Sequence, residues 1–401
     1  MTLSRQLSLW TVAALASVLL LICVLRYSGG YAQRRFAASV APRPAAGRLV
    51  FESKGCAACH GAEATGTSSG PALRQRASLS SIPKLVIAMW NHAPRMWTAM
   101  QQQKLPYRNL SYEETSQLIA YLYISGSDDK EGDIQDGAAL FTGEKHCVRC
   151  HSASGRESAL ASAASAGTAL DWTQALWNHA TVMRARMHAS GLEWPKFGAN
   201  DIRDLLAYVR HQNGVDRQQS SVTAGDADHG WVVFQQKGCI RCHSLTSNAS
   251  GIGPYLGSGQ TLPPTFSQFG AALLNHIPQM EHAIAGQGFS WPKFERNDVR
   301  DLTVFLYTLR YLEPGGSTQI GRTVFSWRGC ARCHGAEAEG DSAPRLRGRG
   351  VTYTASRLAT DLWRHGSRMY ERLQRDGQPW PELQESDVGN LLAFLNSAPG
   401  Q

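Results

Sequence analysis

The segment Gly47–His60 reads GRLVFESKGCAACH, and its skeleton of glycine, phenylalanine and a C-x-x-C-H string returns three more times along the 401-residue chain. The strings begin at Cys56 (CAACH), Cys147 (CVRCH), Cys239 (CIRCH) and Cys330 (CARCH), at intervals of 91, 92 and 91 residues. A fixed period of this size marks an array of similar units, and it organises the reading of everything else. The glycine and phenylalanine pairs are Gly47 and Phe51, Gly137 and Phe141, Gly230 and Phe234, Gly321 and Phe325. Four residues apart, each pair shares one face of a helix. Each period closes on a second apolar helical pattern with an aromatic, QLIAYL, DLLAYV, DLTVFL or NLLAFL, carrying Tyr121, Tyr208, Phe305 and Phe394. The expectation is that the closing helix packs on the opening one, with the glycine allowing close approach.

Within each string the two thiols and the imidazole lie on adjoining positions of one helical turn. The thiols are Cys56 and Cys59, Cys147 and Cys150, Cys239 and Cys242, Cys330 and Cys333; the imidazoles are His60, His151, His243 and His334. That arrangement serves covalent haem attachment, with two thioethers to the porphyrin and the histidine on the iron. A zinc site needs four ligands, and a redox dithiol expects a strand-to-helix setting. Four identical pairs, each with its own histidine, suit neither. A unit of about 80 residues has a modest core, and a buried porphyrin supplies the apolar centre it lacks.

On these motifs each period resembles a class I cytochrome c domain, and the whole resembles membrane-anchored multihaem cytochromes c. The resemblance implies an all-α fold, electron transfer and four covalently bound haem c groups outside the cytoplasmic membrane. It also implies a proline after the motif whose carbonyl accepts the proximal imidazole N–H, a bond that orients the ligand and raises its basicity. Pro71, Pro254 and Pro344 match that position, whereas the second period has no proline there.

A second histidine precedes a methionine by four residues in every period: WNHAPRM, WNHATVM, LNHIPQM and WRHGSRM. The histidines are His92, His179, His276 and His365; the methionines are Met96, Met183, Met280 and Met369. Neighbouring apolar positions interchange Met, Leu and Ile, as space filling allows, but these two do not vary among the four copies. The resemblance implies methionine as the distal iron ligand, 32 to 37 residues after the motif histidine, with the histidine beside it as alternative ligand or hydrogen-bonding neighbour. Pro94, Thr181, Pro278 and Ser367, two residues before each methionine, predict a bend. The tryptophans of EWPKF, SWPKF and PWPEL (Trp194, Trp291, Trp380) are read as core residues or as groups at the haem edge.

The period divides the chain into domains at 46–126, 133–212, 226–312 and 318–401, joined by polar, glycine-containing stretches. Ahead of them Leu7 to Leu25 runs without a charge, long enough to cross a bilayer. Residues 7–26 are therefore expected to form a single transmembrane anchor, or a retained signal, with 27–45 as tether; Gly30 and Ala32 offer a small-x-small cleavage site. Haem attachment outside the cytoplasm then places the domains in the periplasm, at the bacterial inner membrane. The formal charge of +8 does not mark a nucleic-acid binder, since four haems bring propionates that offset it. The first unit, with eight basic and four acidic residues, has the charge to dock an acidic redox partner. Histidine and methionine as ligands would raise the haem potential. The expected function is relay of single electrons from a quinol-oxidising complex or dehydrogenase to an oxidase, reductase or soluble cytochrome. The alternative is a haem enzyme, a peroxidase or nitrogen-oxide reductase, with one displaceable axial ligand.

Overall fold

A computed structural model describes residues 43–74, 81–151, 160, 167–215, 225–245, 252–257, 261–309 and 315–398. The expected anchor and nearly all of the tether lie outside them. Among the described residues every regular element is helical, and no helix is long and apolar enough to cross a membrane.

Each repeat opens on a short helix: α1 (Pro44–Ser53), α5 (Ile134–Ala139, running on as a π-helical turn Leu140–Glu144), α8 (Ala227–Gln236) and α12 (Thr318–Trp327). α1 starts inside the stretch assigned to the tether, because a proline in the first turn has no N–H to lose. The motif turns follow, helical at α2 (Cys56–His60) and α13 (Ala331–His334) and 3₁₀ at Cys147–Arg149 and Cys239–Arg241. Then come the long helices α3 (Ile82–Gln102) and α6 (Ala169–Ala189), the broken pair α9 (Phe266–Asn275) and α10 (Ile277–Gly286), and α14 (Ala355–Arg375). The repeats close on α4 (Tyr112–Gly126), α7 (Asp201–Gln212), α11 (Asp298–Thr308) and α15 (Glu385–Asn396).

Opening and closing helices cross at the glycine. A Cβ built on Gly47, Gly137, Gly230 or Gly321 would stand 1.9–2.0 Å from a carbonyl oxygen of the closing helix, that of Gln117, Asp204, Asp301 or Asn390. Such contact is open only to a residue without a side chain, so the glycine sets the distance between the backbones. Beside it the aromatics pack in pairs: Phe51 with Tyr121, Phe141 with Tyr208, Phe234 with Phe305 and Phe325 with Phe394, ring centres 5.3–5.9 Å apart. Burial of these rings, with Tyr208 half-buried, and of Ile119, Ile202, Val299 and Val388 forms four small cores. In three repeats the crossing residue also caps the opening helix. Asp204, Asp301 and Asn390 accept from the N–H of Asp133, Asp226 and Ser317, each at 2.8 Å.

The four repeats associate as two nested pairs. α3 packs on α14, joining the first and fourth, and α6 packs on α9, joining the second and third. The polar stretch after α4 is also held in place: Ser127 O accepts from Phe266 N, and the Asp129 carboxylate accepts from the N–H and hydroxyl of Ser267, at the start of α9. Burial pushes the Asp129 carboxyl above its ordinary value, partly offset by those Ser267 bonds.

Candidate haem-binding site

The motif turn is set by the residue before its first cysteine. Gly55, Gly238 and Gly329 adopt φ of 80 to 86°, and His146 takes the same left-handed region at φ 56°. Behind this reversal the i to i+4 backbone bond closes the turn, from His151 to Cys147 O (2.9 Å), His243 to Cys239 O (2.8 Å) and His334 to Cys330 O (3.0 Å). Thiols and imidazole are thereby held together. No disulfide joins any of the eight motif cysteines, and burial pushes the thiol of the leading one of each pair, Cys56, Cys147, Cys239 and Cys330, up to about 11. A reactive dithiol would show a lowered value. Among the described residues no three His, Cys, Asp or Glu side chains converge as a zinc site requires.

His60 Nδ1 donates to Pro71 O at 2.9 Å, His243 Nδ1 to Pro254 O at 2.9 Å, and His334 Nδ1 to Pro344 O at 2.8 Å. A carbonyl only accepts, so Nδ1 carries the proton and Nε2 keeps the lone pair a metal needs. The loop carrying each proline presses on the motif. A Cβ on Gly70 would lie 2.7 Å from Cys59 O, and one on Gly253 would lie 2.6 Å from the His243 ring. In the second repeat the loop that would supply a carbonyl to His151 lies largely outside the described residues. Burial lowers His151 and His243, favouring the neutral imidazole that coordinates a metal. Two thiols, one oriented neutral imidazole and a small apolar core form the donor set that haem c takes, so the residues fit the group.

The model of the cytochrome c family matches residues 44–123, 134–213 and 318–399. The chain belongs to the cytochrome c family. No curated protein and no solved structure matches it. In this cytochrome the family's signature thus covers the first, second and fourth repeats, while the third shares their helix crossing and the proline bond of the first and fourth.

The helix after each motif joins one repeat to another. Asn178 Nδ2 donates to Phe294 O at 2.8 Å and its Oδ1 accepts from Phe294 N at 2.8 Å; Asn275 makes the reciprocal pair with Phe197 at 2.8 and 2.7 Å. Asn91 does the same with Leu383, at 2.9 Å both ways, and Arg364 answers with one bond to Leu110 O at 2.7 Å. The indoles extend the clasp: Trp90 donates to Pro381 O, Trp177 to Pro292 O and Trp363 to Arg108 O. In return Trp380 donates to Trp90 O (3.2 Å), Trp291 to Trp177 O (3.3 Å) and Trp194 to Leu274 O (3.0 Å), while the Tyr107 hydroxyl donates to Trp363 O.

This gives the proline ahead of the methionine a role that the sequence did not disclose. Pro94 and Pro278 have no N–H to offer the carbonyl four residues back, which leaves Trp90 O and Leu274 O open to indoles of the paired repeat, although Trp177 O and Trp363 O accept the equivalent bonds where Thr181 and Ser367 stand. The expected bend differs between the two. α3 continues through Pro94, whereas Pro278 lies in the first turn of α10, after a break at His276. The tryptophans of the W-P segments therefore serve the contact between repeats. The signal for this was the W-N pair repeated beside the histidine, whose partners lie too far along the chain for spacing to reveal.

His92 and His179 turn the other way, toward the motif histidines. Ring centres of His60 and His92 are 6.5 Å apart at an interplanar angle of 60°, and those of His151 and His179 are 6.2 Å apart at 68°. Burial first, then the neighbouring His60, lowers His92 below its ordinary value. The four methionines are half-buried on the same helices, one turn further on.

Proposed function

We propose that this cytochrome carries four haem c groups, one per repeat, and relays single electrons between respiratory partners at the periplasmic face of the inner membrane. Support for a fourth haem comes from the third repeat, whose motif turn, Gly230 crossing and Pro254 carbonyl reproduce those of the matched first and fourth segments. Cys56, Cys59 and His60, with their counterparts in each repeat, would hold the haem, which supplies a one-electron iron couple when bound. The protein's part is to fix the imidazole tautomer through the proline carbonyl, to enclose the site and to set the neighbours of each centre.

The observation that carries the relay is the nested pairing. The helices that follow the motifs, with the loops and closing helices they meet, form the contacts between first and fourth and between second and third. Exchange is therefore favoured within these pairs, and a path through all four does not follow chain order. The uncharged segment Leu7 to Leu25 would anchor the array, and the basic first unit would present it to an acidic partner. Intact-mass and pyridine-haemochrome measurements on the purified protein should give four haems per chain, with four one-electron steps in a redox titration. Fewer than four haems would reject the array, and rapid carbon monoxide binding to the native reduced protein would favour the enzyme alternative.

A further inference from the structure

We infer that the distal iron ligand in the first and second repeats is His92 and His179, so that these haems are bound by two histidines. The inference rests on haem binding as proposed above and departs from the methionine that the family resemblance implies.

Metal to imidazole-nitrogen bonds run about 2.0–2.1 Å and the ring centre lies about 1 Å beyond, so two imidazoles on one metal place their centres about 6 Å apart. The observed 6.5 and 6.2 Å match that span in two repeats with different neighbouring residues. An edge-on contact between neutral rings falls in the same range, but two further observations favour a metal between them. His60 has its Nδ1 committed to Pro71, which leaves Nε2 as the free lone pair. Trp90 and Asn91, like Trp177 and Asn178, are committed to the facing repeat, so the invariant third member of W-N-H is the one left to face the motif.

The test is spectroscopy on the ferric and ferrous holoprotein with single substitutions. Near-infrared magnetic circular dichroism of the wild type should show bis-imidazole bands from at least two haems. The ring angles of 60° and 68° further predict low-spin signals with a large principal g value. His92→Ala should convert one of the four haems to a high-spin form that binds one equivalent of carbon monoxide, and added imidazole should restore it. Met96→Leu should leave all four low-spin signals in place. If instead Met96→Leu removes one low-spin haem together with a sulfur-to-iron charge-transfer band, and His92→Ala removes none, the inference is overturned. Should His92→Ala not accumulate, Met96→Leu and the wild-type spectrum decide alone. Haem count separates the two levels: four haems with methionine bands would sink only the ligand assignment, whereas a chain without haem would sink the reading beneath it.

Discussion

Replacing Gly230 by alanine puts a methyl group where the third repeat has none to spare. The new Cβ would stand 2.0 Å from Asp301 O, 2.5 Å from Asp301 C and 2.7 Å from Phe305 Cβ. Carbon contacts settle at about 3.5–4.0 Å, so α8 and α11 would have to part by about 1.5 Å. The obstructing carbonyl is backbone and cannot rotate away, which places the cost at the upper end of overpacking, about 3 kcal/mol. Helix propensity returns about 0.5–1 kcal/mol. The net loss of about 2 kcal/mol corresponds to roughly 30-fold at a factor of ten per 1.4 kcal/mol. Amide hydrogen exchange of the holoprotein reads this locally, because opening free energies differ between cooperative units. Peptides covering α8 and α11 should exchange roughly 30-fold faster, while α1 and α4 serve as an internal reference. Unchanged or slower exchange in α8 and α11 would refute the claim that this crossing is closed by the absence of a side chain.

Three other outcomes are expected. His146→Gly relieves a left-handed residue that costs about 1–2 kcal/mol but loosens the unfolded chain by about 0.5–1 kcal/mol, so exchange in α5 should slow about twofold, and acceleration would count against the strain. Asn178→Ala and Asn275→Ala each leave a backbone N–H and C=O of the facing repeat unpaired, costing about 1–3 kcal/mol; hydrogen exchange around Phe294 and Phe197 should rise, and a double variant no worse than either single would show one shared clasp. Cys239→Ala with Cys242→Ala should lower the intact mass by one haem and strip protection from α8 and α11, with α12 and α15 unaffected; full protection without that haem would mean the repeat folds without its apolar centre.

Much of the fold was legible because its decisive contacts are local in kind even when distant in sequence. A glycine four residues before a phenylalanine can only mean one helix face, and the four closing patterns carry matching aromatics. The proline carbonyls that meet His60, His243 and His334 were marked by the resemblance and lie 10 or 11 residues away. What spacing could not convey is association between repeats. Trp90 finds Pro381 across 291 residues and Trp177 finds Pro292 across 115, and no pattern in the chain says which repeat faces which. The stretch W-N-H-A-P-R-M therefore reads from the sequence as a choice between histidine and methionine on the iron, while the part its Trp and Asn play in holding a neighbouring repeat stays hidden. The left-handed residue before each leading cysteine stands as glycine in the first, third and fourth repeats; His146 in the second hid the rule, since histidine tolerates that conformation better than most side chains.

The same nesting has a temporal consequence. When the repeats fold in order from the amino terminus, the second and third can clasp as soon as both are complete, but the first has to wait for the fourth. Throughout that interval α3 has its apolar face and the Trp90 carbonyl uncovered, held in reserve for Trp380 of the fourth repeat. A chain cut after the third repeat would keep its inner pair and leave the first repeat with a surface built for a partner that never arrives. The surface of the first repeat is thus closed only by the fourth, and a chain lacking the fourth repeat would expose it.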